Sequence, residues 1–175
     1  MRSNPVTSHR STFRAALVAG ALAALAASAW AQPNVQSELV AEKLVRAPSG
    51  QLSRSAADAV KPGDLVVYTA TYRNTGKATA EKLAATIPIP AGTVLVESSS
   101  EPAGAQASTD GVRFAAMPLM RAVRQPDGTT RQEPVPLADY RFVRWDLGTL
   151  PAAGQRVVGL RVRVDANPDT ATARP

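Results

Sequence analysis

The chain has 175 residues, 20 Lys and Arg against 14 Asp and Glu for a formal charge of +6, one histidine and no cysteine. That histidine is His9, so everything after it lacks both imidazole and thiol, which excludes Ser-His-Asp and Cys-His catalysis, thiolate chemistry and an ordinary zinc site. Only carboxylates, Lys, Tyr or a carboxylate-bound divalent cation remain for an enzyme.

The first residues carry Arg2, His9, Arg10 and Arg14 without an acid, and residues 15–29 are almost wholly apolar, ending at Ala29-Trp30-Ala31. This predicts a cleavable signal peptide over 1–31, cut between Ala31 and Gln32. The apolar run, about 15 residues, is short of the ~20 needed to span a bilayer, and Gln32 in place of Cys argues against a lipid anchor. Removing Arg2, Arg10 and Arg14 takes the formal charge from +6 to +3. No later segment has the length or apolarity of a membrane helix, so the expectation is an exported protein, periplasmic or extracellular, with no membrane span after signal cleavage. There is no run of five like charges and no basic stripe interleaved with aromatics, so no nucleic-acid partner is expected. Without disulfides the remaining chain must hold by its core alone, which its length permits.

Residues 35–45 read as a first strand, although Val35, Leu39, Val40, Leu44 and Val45 fit a helix nearly as well. Residues 47–63, with Pro48, Gly50 and Lys61-Pro62-Gly63-Asp64, read as a flexible loop. Residues 65–72 are the clearest strand, with Val66, Tyr68, Ala70 and Tyr72 assigned to the core, and it stops at Asn74-Thr75-Gly76. Leu83, Ala85 and Ile87 alternate in the next strand until Pro88 and Pro90 end ladder pairing. Residues 93–98 predict a strand, and 105–108 with 112–115 predict a tight hairpin at Asp110-Gly111. In 142–147 the apolar set is Val143, Trp145 and Leu147, and the last strand alternates Val158, Leu160, Val162 and Val164. Seven to nine short strands with Pro/Gly turns predict an all-β antiparallel sandwich. The tail 167–175 reads as disordered.

The motifs Gly63-Asp64, Val66-x-Tyr68-Thr69, Tyr72-x-Asn74-Thr75-Gly76, Ile89-Pro90-Ala91-Gly92-Thr93 and Trp145-x-Leu147-Gly148-x-Leu150, followed by Gly154 and the closing valine strand, occur in this order. Together they resemble a bacterial envelope repeat, the eleventh of the numbered domains of unknown function, over roughly residues 61–165. The resemblance implies a single immunoglobulin-like sandwich over 61–166, preceded by an N-terminal strand and loop over 32–60, with no catalytic activity of its own. The chain departs from the pattern at Ile87, where a typical member has Asp, and at residues 116–140, which look inserted.

Within that insertion, Pro126-Asp127-Gly128 lies between two β-prone arms and predicts an extra hairpin. Arg121, Arg124 and Arg131, with Asp127 at the turn, are the candidate partner contact, because guanidinium forks suit planar anions. The bland alternative is an exposed hairpin whose arginines are offset by Asp127, Glu133 and Asp139. Asp64, Asp110, Asp127, Asp139, Asp146 and Asp165 never fall three to one short loop, so neither a Ca²⁺ site nor a paired-carboxylate glycosidase is expected. Met117 and Met120 lack a His for a copper site, and Trp145 reads as core. No catalytic residue, metal or cofactor is expected. The favoured function is a non-enzymatic structural, adhesive or protein-interaction module of the cell envelope, with an envelope protein as partner through a sheet edge or the hairpin. The alternatives are a periplasmic small-ligand, polysaccharide or metal-binding domain and, last, a carboxylate-based hydrolase.

Overall fold

A computed structural model describes residues 32–166, and the expected signal peptide and C-terminal tail lie outside the described residues. The elements in chain order are β1 (Val35–Arg46), β2 (Leu52–Ala56), β3 (Leu65–Asn74), β4 (Ala80–Pro88), β5 (Thr93–Leu95), β6 (Gln106–Ser108), β7 (Ala115–Ala116), β8 (Met120–Arg124) and β9 (Thr130–Pro134). A single 3₁₀ turn (Leu137–Asp139) then leads into β10 (Phe142–Leu150) and β11 (Gln155–Val164). Two antiparallel sheets form an all-β sandwich: five strands in the order β2-β1-β3-β11-β5, and four in the order β4-β10-β6-β7. β8 and β9 form a separate two-stranded hairpin.

Strand alternation sends every second side chain inward. Val66 and Ala70 of β3 and Val158, Leu160 and Val162 of β11 meet Ala85 and Ile87 of β4 and Val143 and Trp145 of β10 in one buried cluster. Tyr68 and Tyr72 pack against it half-buried, on the face expected for them. Trp145 is 2% exposed, and its indole N–H donates to the Pro102 carbonyl at 2.8 Å. The tryptophan is therefore a core residue with its one polar atom satisfied.

Asn74 closes one end of the sandwich. Its side chain is 1% exposed; Nδ2 donates to the carbonyls of Ala78 (2.7 Å) and Leu150 (2.9 Å). Oδ1 accepts the N–H groups of Gly76 (3.1 Å) and Asn34 (3.2 Å). The turn motif Asn74-Thr75-Gly76 thus ties β1, β3 and β10 together. Gly76 is needed there for space, since a Cβ would come within 2.9 Å of the Pro33 backbone carbon.

Three sequence expectations are corrected. Residues 47–63 are not all loop, because Leu52–Ala56 pairs antiparallel with residues 42–46 of β1. Both faces of β2 are exposed, so no apolar alternation marks it, and ladder bonds with the Arg54–Glu42 ion pair (3.1 Å) hold it instead. The strand expected over 93–98 ends at Leu95, where residues 96–99 turn with Ser98 at φ +53°. The tight hairpin expected at Asp110-Gly111 opens into a longer loop: the Asp110 carboxylate takes the amides of Val112 and Arg113, each at 2.8 Å. Those amides are withdrawn from any ladder, and pairing resumes only at Ala115.

The extra hairpin forms where expected, with Arg121 opposite Glu133 and Val123 opposite Arg131. Asp127 Oδ1 accepts the Thr129 amide (2.9 Å) and hydroxyl (2.7 Å), while Gly128 sits at φ +87°. Its base is part of the core. Leu119 is buried, and its N–H donates at 2.7 Å to the hydroxyl of the fully buried Tyr140.

Candidate functional site

The hairpin brings two of the three arginines proposed from sequence as a partner contact to one face and sends the third to the other. In a two-stranded ladder, opposed residues share a face and neighbours alternate. Arg121 and Arg131 therefore lie on one face of the hairpin with Val123 and Glu133, and Arg124 lies on the other with Thr130. Arg121 reaches Asp139 at 3.9 Å. Asp127 serves the turn, and the Thr129 hydroxyl and amide hold its carboxyl below the usual carboxylate range.

The other aspartates likewise close local structure. Asp64 accepts Lys43 Nζ at 2.6 Å and the Lys61 amide at 2.7 Å, contacts that lower its pKa. Asp110 is held far down, first by the Arg113 and Val112 amides and then by the Ser108 hydroxyl. Asp146 Oδ1 accepts the Gly148 amide at 2.9 Å. Among the described residues no group of three His, Cys, Asp or Glu is placed to hold a metal ion, and no helix is long and apolar enough to cross a membrane.

The sheet edges differ in how they are guarded. An edge strand offers unpaired N–H and C=O groups, and proteins blunt it with charge, Pro, bulges or brevity. β4, at one edge of the four-stranded sheet, carries Glu81 and Lys82, bends at Lys82 (φ +53°) and ends on Pro88. β2 is five residues long and carries Arg54. β1 is different, because β2 covers only its residues 42–46. Residues 35–41 pair with β3 on one side and have no strand on the other among the described residues. That half reads Val35-Gln36-Ser37-Glu38-Leu39-Val40-Ala41, with one charge, no proline and no bulge. Leu39 is 51% exposed and Val40 42%, on opposite faces.

The five-stranded sheet also carries a shallow groove of about 690 Å³ on its outer face, with Leu44, Leu52, Val67 and Val157 around Gly159. Gly159 exchanges both backbone hydrogen bonds with Glu101, at 2.7 and 2.8 Å, and a Cβ there would meet the Tyr68 carbonyl at 3.1 Å. A second concavity, of about 490 Å³, lies where β5 faces the 3₁₀ turn and the base of the hairpin.

Sequence patterning reached β1 but not its edge, since which half of a strand stays uncovered depends on the length of its neighbour. Tyr140 had no local signal, and Asn74 was legible only as a turn residue. No family model matches the chain, and no match is found among curated proteins or solved structures.

Proposed function

We propose that the protein is a non-enzymatic, exported structural or adhesive module of the bacterial cell envelope, which binds a protein partner by adding one of its extended segments to the free edge of β1. The observation that carries this reading is residues 35–41: without a strand on one side among the described residues, nearly uncharged, and exposing Leu39 and Val40 on the two faces that an added strand would extend. In strand addition the main-chain ladder supplies affinity, and alternate side chains supply specificity. The leader-like residues 1–31 support export, and the absence of His and Cys after His9 supports a role without catalysis. The motif order from Gly63-Asp64 to Trp145-x-Leu147-Gly148 resembles the envelope repeat and supports an immunoglobulin-like reading of the sandwich.

The test is affinity capture from the cell envelope with wild type, with Leu39→Lys and Val40→Lys combined, and with residues 121–132 replaced by a short Gly-containing turn. Lysines on an edge strand oppose pairing, so the double variant is expected to lose the partner at least about tenfold, equivalent to roughly 1.4 kcal/mol. The hairpin replacement is expected to retain it. Hydrogen exchange of the complex should show the 35–41 amides newly protected. Retention by the lysine variant, or unchanged exchange at 35–41, removes β1 as the binding element.

A further inference from the structure

Away from the β1 edge, the 490 Å³ cleft has the size and character of a small-molecule site. Leu95, Met117, Pro118, Val135 and Leu137 line it, with the fully buried Tyr140. Glu97 is the single charged residue of the lining and takes no ion pair among the described residues. Its position is fixed by the turn over residues 96–99. The Ser99 hydroxyl donates to the Val96 carbonyl at 2.7 Å and accepts the Arg161 N–H at 3.1 Å. Ser99 is buried, whereas Ser98, beside Glu97, is held at φ +53°, a left-handed conformation that a non-glycine residue adopts at a cost. A strained, pinned turn thus presents one carboxylate, beside the hydroxyl-bearing Ser98 and Ser100, at a cleft whose remaining side chains are largely apolar.

We infer that this cleft binds a small amphiphile with an apolar body and one ammonium group. The apolar body is what the walls exclude from water, and the ammonium is what an unpaired carboxylate complements. An anionic amphiphile would meet Glu97 with like charge, and a neutral one would leave it unused.

Three probes sharing one body separate these cases: phenylbutylamine, phenylbutanol and phenylbutyrate, titrated against the protein and followed by methyl NMR at Leu95, Val135 and Leu137. The amine should bind about fivefold tighter than the alcohol, the scale of a partly exposed ion pair, and the butyrate should bind weakest. Glu97→Gln, at an exposed position, should bring the amine to the affinity of the alcohol and leave the alcohol unchanged. Ser100→Trp, at a half-buried lining position, should abolish binding of all three. Equal binding of amine and alcohol to wild type, an amine preference that survives Glu97→Gln, or shifts mapping outside the cleft would each overturn the inference.

Discussion

Asn74 is a polar residue whose removal should cost a large share of the stability. Its side chain makes four hydrogen bonds, and its main chain makes two more, donating to Gly154 and accepting from Ala153. Asn74→Ala removes the four and leaves the Ala78 and Leu150 carbonyls and the Gly76 and Asn34 amides without that partner. At about 1 kcal/mol net for each bond, the loss is about 4 kcal/mol in full and about 2 kcal/mol where water replaces the outer two. That is a large share of the roughly 5–15 kcal/mol that holds a domain together. Asn74→Asp keeps the shape and reverses a donor: a carboxylate oxygen then faces two carbonyls at the positions where Nδ2 sits 2.7 and 2.9 Å away. Full burial and the two facing carbonyls outweigh the Gly76 and Asn34 amides that Oδ1 still accepts, and so raise the folded pKa of that aspartate above its unfolded value of about 3.9. A raised folded pKa means that the contribution is fully present below the unfolded value and is lost as pH rises through the folded one. The Asp variant should therefore approach wild type in acid and fall behind it towards neutral pH, while the Ala variant keeps a constant deficit. Denaturant unfolding followed by the buried Trp145 measures both. A deficit below about 1 kcal/mol for Asn74→Ala, or a pH-independent deficit for Asn74→Asp, would refute the reasoning.

Gly76→Ala tests the same end of the sandwich from its other side. A Cβ there lands against the backbone of residues 32–34, so β1 must shift; the cost should be roughly 1–3 kcal/mol, with faster hydrogen exchange at the start of β1. Asp110→Ala tests the long loop. The folded pKa of Asp110 is depressed by the amides it accepts, so its stabilisation is present above the unfolded value near 3.9 and is lost as pH falls through the folded one. The melting-temperature gap between wild type and Asp110→Ala should therefore be widest near neutral pH and close in strong acid; a gap that widens in acid would contradict the assignment.

The parts legible in sequence were those where periodicity and burial coincide. Val66, Ala70, Val143, Trp145, Val158, Leu160 and Val162 each sit on an alternating face that is also the inner face. Pro126-Asp127-Gly128 was legible because its turn is closed by its own residues. What escaped was whatever depends on another part of the chain. β2, exposed on both faces, exists because β1 offers it a ladder. Residues 112–113 are not strand because a carboxylate two to three positions earlier holds their amides. Arg121, Arg124 and Arg131 look like a cluster along the chain, but strand alternation divides them between two faces.

The same dependence sets where the molecule is open to partners. A sandwich of five strands over four leaves unequal margins, and the covering of β1 is decided by how far β2 extends along it. β2 spans five residues against the twelve of β1, so one half of β1 is covered and the other half has no strand on its outer edge among the described residues. Nothing in the composition of residues 35–41 compensates: Glu38 is the lone charge, where β4 has an acid, a lysine, a left-handed bend and a terminal proline. An edge left in this condition would favour unselective pairing unless a specific strand normally occupies it. The guarded β4 and the less guarded half of β1 on one small domain are the contrast on which the proposed partner for β1 rests.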